Sequence, residues 1–307
     1  MFAIVRKELA DYVTSIRFIA SFLLVVVVSV TGLVAASQGI RSANLPEGIV
    51  FLGLFTTSGA VTPSLTYLVS LLIPIIGIAM GFDAINSERA GGTLSRVLAQ
   101  PVFRDSVING KFLAGVVALA IMIGTMLLLV AGYGLSMIGV PPTPEEIIRL
   151  FGYFAMTIVY GAFWMGLAIL FSIIFRRVAA SLLFSLALWM FFSIFILLIA
   201  PGIANVLVPT ADGAQAELIR NVELQRMITR FSPNILFQEA TTVLLVPLVR
   251  SLGMVSASQA AYMVPNPLSL GQSLLLIWPH ITSLISLSAV CFAASYILFM
   301  RQEIRAT

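Results

Sequence analysis

Six long runs of apolar residues dominate the chain, separated by short charged stretches. About 18 or more consecutive apolar residues without charge are typical of a helix that spans a lipid bilayer. The pattern predicts six spans, at residues 18–36, 65–82, 112–138, 151–175, 181–200 and 274–300. Pro279 lies inside the last run and removes one backbone hydrogen bond, which predicts a kink or a later helix start.

A shorter apolar segment precedes the second span. No charged residue occurs between Glu47 and Asp83, but this stretch is too short for two spans. Polar and turn-forming residues at 56–59 and at Thr62-Pro63 also interrupt it. We therefore predict one span from about Leu65, preceded by an apolar segment at residues 49–55 that lies at the outer surface or dips into it.

The first 17 residues have the pattern of an amphipathic helix. Their apolar residues recur at steps of three and four, with charged residues on the other face. This pattern predicts a helix that lies in the membrane interface before the chain enters the bilayer. The alternative is a soluble helix that packs on a partner. A cleavable signal peptide is a poor interpretation, because no small-residue cleavage site follows the first apolar run.

The composition agrees with this pattern, since 60% of the 307 residues are hydrophobic and only 10% are charged. Soluble domains carry about 45–50% apolar and about 25% charged residues. A soluble enzyme is therefore excluded, and the fold class is an all-α integral membrane protein with one transmembrane domain over residues 1–307. The single Cys291 excludes an internal disulfide, and the single His280, with no evident partner, excludes a His-rich metal site.

The distribution of Lys and Arg predicts the orientation of the spans. If the N-terminus is cytoplasmic, the inner connections hold 11 of the 17 basic residues, whereas the two short outer loops hold only Arg41 and Arg149. Cytoplasmic loops carry such an excess of basic residues. Both termini are therefore predicted to be cytoplasmic. The eleven are Arg6, Lys7, Arg17, Arg89, Arg96, Arg104, Lys111, Arg176, Arg177, Arg301 and Arg305.

A long segment at residues 201–272 connects the last two spans on the outer side. Its acidic and basic residues alternate, and Ser232-Pro233 has the form of a helix N-cap followed by Pro at the first helical position. Gln238, Glu239 and Arg250 argue against a seventh span. We interpret the segment as a large extracytoplasmic part, a solvated helical cap over the spans.

The inner connection at residues 83–111 contains the clearest functional pattern. Thr93 is placed to cap a short helix in which Leu94, Val97 and Leu98 share one face, and Pro101 ends it. Gly91-Gly92 permits a tight turn before it. Such a short helix is unstable alone in water, so its apolar edge needs a surface to pack on. A cytoplasmic partner protein is one candidate and the membrane surface is the other.

This connection resembles the signature loop of the ABC type-2 transporter permeases. The resemblance rests on Asp83, Glu88-Arg89, Gly92-Thr93-Leu94, Pro101, Arg104 and Gly110-Lys111. The six spans, the N-terminal interfacial helix with its Arg-Lys-Glu sequence and the large outer segment are also similar. Within the family, the chain is most similar to the permeases grouped with multicopper-enzyme and nitrous-oxide-reductase maturation.

The resemblance implies a permease subunit of an exporter in the plasma membrane of a prokaryote, working as a dimer with a second permease copy. It also implies that the 83–111 loop docks on a separate cytoplasmic ATPase, which holds the ATP–Mg, and that the chain itself is no enzyme and binds no cofactor, metal or nucleic acid. The residues then expected to couple the two subunits are Asp83, Glu88, Arg89, Gly92, Thr93, Leu94, Arg96, Val97, Leu98, Pro101, Arg104 and Lys111.

The sequence gives weaker support to other classes of function. A phosphate-binding loop needs Gly-x-x-x-x-Gly-Lys-Ser/Thr, but Gly110-Lys111 is followed by Phe112 and preceded by Asp105 at the first Gly position. No acidic residue lies within the six predicted spans, which argues against a proton-coupled carrier. The twelve methionines are scattered, so a role as apolar packing residues is favoured over a copper relay.

The alternative function is a non-transporting membrane scaffold for assembly of an enzyme or envelope complex.

The predicted topology can be tested with single cysteines in a Cys291→Ser background. Ser95→Cys and Ala214→Cys should react with a membrane-impermeant thiol reagent from opposite sides of the membrane. Labelling of both sites from the same side would contradict the six-span orientation.

Overall fold

The computed structural model describes residues 2–42, 50–59, 62–92, 103–139, 141–209, 215–248 and 268–301. These ranges contain helices and connecting turns, and no strand occurs among them. The helices, in chain order, are α1 (Phe2–Thr14), α2 (Ile16–Ser42), α3 (Val50–Thr56), α4 (Leu65–Gly81), α5 (Asn86–Ala90), α6 (Arg104–Ile138), α7 (Pro144–Ile174), α8 (Val178–Met190), α9 (Ile196–Leu207), α10 (Gln215–Thr229), α11 (Pro233–Leu245) and α12 (Leu270–Arg301). A π-helical turn, Phe191–Phe195, joins α8 to α9.

Six helical stretches are long and apolar enough to cross a membrane, which confirms the predicted all-α fold with six spans. The spans are α2, α4, α6, α7, the continuous α8–α9 pair and α12. The sixth span begins at Leu270 and continues as a helix through Pro279, so of the two predicted consequences of this proline, a kink or a later start, the later start does not occur. The hydroxyl groups of Thr282 and Ser283 both donate hydrogen bonds to the carbonyl oxygen of Pro279.

The backbones of α4 and α7 approach each other closely at two glycines. A Cβ atom on Gly77 would lie 2.7 Å from the carbonyl oxygen of Gly161, and one on Gly81 would lie 2.5 Å from that of Met165. Small residues four apart permit this approach between spans, and lipid-embedded helices associate mainly through such packing. The second and fourth spans are therefore in close backbone contact at these two positions, which we call the seam.

The apolar segment before the second span forms α3, and its side chains are buried. Phe51, Leu52, Leu54 and Phe55 are at most 4% exposed. The backbone amide of Phe51 donates a 3.1 Å hydrogen bond to Glu146 at the start of α7. The predicted segment therefore dips into the bundle rather than lying on its surface.

The connection between the last two spans has two helices with different surroundings. Most side chains of α10 are exposed or half-buried, whereas Phe237, Ala240 and Val243 of α11 are fully buried. The prediction of a solvated cap is therefore wrong for α11, which packs among the spans. Ser232 fulfils the predicted N-cap role for α11, and its hydroxyl also donates a 2.7 Å bond to the carbonyl oxygen of Phe192 in the π-helical turn.

Arg149 lies at the end of the bundle that also carries α3 and α11. Its side chain is 1% exposed, although the sequence places it in a short outer loop. The guanidinium group donates hydrogen bonds to the carbonyl oxygens of Leu244 (2.8 Å) and Leu268 (2.6 Å), and to Glu145. Arg149 therefore joins the start of α7 to the end of α11 and the approach to α12.

His280 has a partner, contrary to the sequence-based expectation. Its Nε2 atom lies 2.8 Å from Oε2 of Glu239, and the same oxygen accepts a 2.8 Å hydrogen bond from Arg230. Burial raises the pKa of Glu239, but the hydrogen bonds from His280 and Arg230 outweigh it and hold the pKa below its ordinary value. This charged cluster attaches α11 to the sixth span.

The seam between α4 and α7 predicts a position-specific effect of added side-chain volume. We expect Gly77→Val and Gly81→Val to destabilise the protein by at least ~1–3 kcal/mol, because the new methyl groups meet backbone rather than a movable side chain. Thermal unfolding of the detergent-purified protein measures the effect. Gly132→Val is the matched control, since no atom lies within 4 Å of its added Cβ. Equal shifts at all three positions would contradict the seam.

Candidate functional site

The chain that leaves α4 enters the predicted coupling loop at the end of the bundle opposite α3 and α11. We call this the loop end. Residues 82–85 form a turn, α5 follows, and the chain reaches Gly92 with a φ of 67°. That left-handed backbone conformation favours glycine, which lacks the clashing Cβ atom. The predicted turn before the apolar helix is therefore present at Gly92.

Asp83 is attached to the start of the first span. Its carboxylate accepts a hydrogen bond from Arg17, and the guanidinium group of Arg17 lies 5.1 Å from the centre of the Phe82 ring. The Asp83 side chain is only 12% exposed. A partly buried carboxylate needs such a cation to offset its loss of hydration.

Lys111 is the central cation of the loop end. Its ammonium group lies 2.9 Å from Glu8 of α1 and 2.6 Å from Glu88 of α5, and its side chain is 6% exposed. One cation therefore joins α1, α5 and α6. Because the groups are shielded from water, their attraction is stronger than at a surface, and removal of Lys111 takes away the buried cation that both carboxylates contact.

Tyr12 gives a further contact between α1 and the second span. Its hydroxyl donates a 3.1 Å hydrogen bond to the carbonyl oxygen of Met80. Burial, and then the nearby carboxylates of Glu8 and Asp83, raise the pKa of Tyr12 above its ordinary value, which further favours the protonated hydroxyl that donates this bond. The predicted amphipathic N-terminal helix is thus packed against the bundle, with Val5 and Glu8 buried.

Three of the predicted coupling residues are brought together, namely Asp83, Glu88 and Lys111. Arg89 lies on α5, Gly92 follows it, and Arg104 begins α6. The loop is therefore held on both sides of its predicted docking helix. The remaining predicted residues, Thr93, Leu94, Arg96, Val97, Leu98 and Pro101, lie outside the described residues.

The sequence interpretation did not find the partners of these residues. Arg17 and Ser172 contact the start of the loop. Glu8 contacts Lys111 at the end of the loop, and Tyr12 contacts Met80 in the last turn of α4. Lys111 was the one residue whose position in the sequence indicated such a partner. A lysine at the start of an apolar run needs a nearby acidic residue when it is buried. The sequence could not identify Glu8 as that acid, since 103 residues separate the two.

These features define a multi-pass helical membrane protein in which the described residues at both ends of the loop after the second span are attached to several helices. The chain belongs to the ABC-2 family of transporter proteins, whose profile matches residues 2–304. It is therefore a permease-type subunit of an ABC transporter and a multi-pass protein of a prokaryotic inner membrane.

Two curated relatives carry the name ABC transporter permease protein NosY. The chain is 32% identical to the protein from Pseudomonas aeruginosa over 201 residues, which is 62% of this chain and 66% of the relative. It is 35% identical to the protein from Stutzerimonas stutzeri over 145 residues, which is 44% of this chain and 48% of the relative. The alignments thus span about half to two thirds of these relatives.

The role of Lys111 predicts a large effect of its removal. Lys111→Met should destabilise the protein by ~3–5 kcal/mol, because it removes the buried ammonium group that both Glu8 and Glu88 contact. Lys7→Met is the matched control: Lys7 also pairs with Glu8 but is 59% exposed, so its loss should cost at most ~1 kcal/mol. Thermal unfolding of both purified variants measures the difference, and similar shifts would contradict a central role for Lys111.

Proposed function

We propose that this protein is the membrane-spanning subunit of an exporter and that a separate cytoplasmic ATPase docks on its 83–111 loop. In this proposal the loop end faces the cytoplasm, and the protein acts as a dimer with a second permease copy. The single observation that carries the proposal is the attachment of the loop start to several helices. Asp83 is bound to α2, and Glu88 is bound through Lys111 to α6 and α1.

This attachment suits a mechanical function. A loop connected only through its ends can shift without moving the spans, whereas buried ion pairs transfer a displacement to the helices that carry their partners. Closure of an ATPase pair would push on the short helix predicted from Thr93, and residues 83–88 would carry that displacement into the first and third spans. The energy for transport comes from the partner, because the chain has no phosphate-binding Gly-x-x-x-x-Gly-Lys-Ser/Thr sequence.

The docking part of the proposal can be tested by charge insertion into the apolar edge of the loop. Leu94→Asp should abolish co-purification of the separate cytoplasmic ATPase with the permease. Burial of one Leu contributes about 1.5–3 kcal/mol, or roughly one to two decades of affinity, and an unpaired buried carboxylate adds to that loss.

Ser95→Asp is the matched control, because it introduces the same charge one position away from the apolar face. It should retain the ATPase. A Leu94→Asp protein that inserts normally and still retains the ATPase would contradict docking through this loop. Absence of any associated ATPase from the unmodified protein would favour the membrane scaffold instead.

A further inference from the structure

Ser172 makes an unusual contact near the end of α7. Its hydroxyl oxygen accepts hydrogen bonds from two consecutive backbone amides, those of Ile85 at 3.0 Å and Asn86 at 3.1 Å. All three residues are fully buried. A hydroxyl oxygen has two lone pairs, so both bonds can form at once.

The two amides belong to the start of the loop. Ile85 is the N-cap residue of α5 and Asn86 is its first residue, so neither amide has an acceptor within that helix. The fourth span therefore provides the cap that the short helix does not provide for itself. The contact joins residues that are 87 positions apart in the chain.

Ser172 also continues the seam between the second and fourth spans. Gly77 faces Gly161, Gly81 faces Met165 and Ala168, and the amide of Ile85 then meets Ser172. The α4 helix ends at Gly81, and the chain turns before α5 begins. Close packing at the glycines, together with a hydrogen bond from Tyr160 to the carbonyl oxygen of Ser70, holds the second span against α7. Hydrogen bonding to Ser172 holds the loop start against the same helix.

We infer that Ser172 is the positioning residue that transmits movement of the 83–111 loop to the fourth span. This inference rests on the proposed function, in which the loop is the contact of the ATPase. The ion pairs of Asp83 and Glu88 reach the first and third spans through long side chains. The Ser172 contact reaches the loop backbone directly, so it determines the position of α5 relative to α7.

The substitution Ser172→Ala removes the acceptor and leaves two buried amides without a partner. Unpaired buried backbone groups are strongly disfavoured, so α5 should separate from α7 to reach water. Ser185→Ala is the matched control. Ser185 is equally buried, but its hydroxyl only donates a bond to the carbonyl oxygen of Ser181 one turn earlier, which leaves no amide unpaired when it is removed.

Hydrogen–deuterium exchange of the full-length protein, co-purified with its ATPase in lipid nanodiscs, provides the test. Exchange is compared between the nucleotide-free and the ATP–vanadate-trapped complex. In the unmodified protein, peptides covering residues 83–92 and peptides covering residues 168–176 should both change their exchange on trapping. In Ser172→Ala, the amides of Ile85 and Asn86 should exchange at least about tenfold faster, and the response of residues 168–176 should disappear while that of residues 83–92 remains.

The outcomes distinguish failure of the proposed docking site from failure of the inference about Ser172. No response of residues 83–92 in the unmodified complex would overturn the proposed docking site, whatever the behaviour of Ser172. An undiminished response of residues 168–176 in Ser172→Ala would overturn the inference and leave the docking site intact. The same loss in Ser185→Ala would also overturn it, because the effect would then be a general loss of a buried hydroxyl rather than a property of this contact.

Discussion

Close contact between the backbones of α4 and α7 is the constraint on which the arrangement of the spans depends. Lipid surrounds apolar side chains as favourably as another helix does, so the hydrophobic effect gives little reason for two spans to associate. Dense packing supplies that reason, and Gly77 and Gly81 permit it. With this seam in place, Tyr160 and Trp164 of α7 are fully buried in the core, and α11 packs close enough for Phe237 to stack on Tyr160 at 4.4 Å.

Different short helices are held at the two ends of the seam between α4 and α7. At one end, Arg149 and Glu146 bind backbone groups of α3 and α11 and hold these short helices within the bundle. At the loop end, Lys111 and Ser172 hold the short α5 helix and the chain before it. Buried polar groups are costly in a membrane protein unless they are paired, and at both ends the paired groups hold parts of the chain that are not spans.

At the loop end, ion pairs and backbone hydrogen bonds hold the loop in different ways. Lys111 pairs with two carboxylates from separate helices, so its loss affects both contacts at once. Ser172 carries no charge and instead satisfies backbone donors that α5 cannot pair by itself. An applied displacement of the loop therefore meets resistance from four helices, α1, α2, α6 and α7. A loop can transfer the movement of a partner protein to the spans only if it is attached to them in this way.

The number and approximate limits of the spans follow from the sequence alone. A run of about 18 apolar residues is long enough to cross the hydrocarbon core as a helix, and such a run is typical of a membrane span. The amphipathic period of α1 and the Ser-Pro start of α11 were also predictable, since both are local patterns. The sequence could not reveal that Arg149 is buried, that His280 is paired, or that Lys111 joins Glu8 to Glu88. Those partners lie up to 119 residues apart along the chain, as for Arg149 and Leu268. Only the packing of the helices brings them within hydrogen-bond distance, because spacing along a sequence determines which residues share a face of one helix and not which helix that face meets.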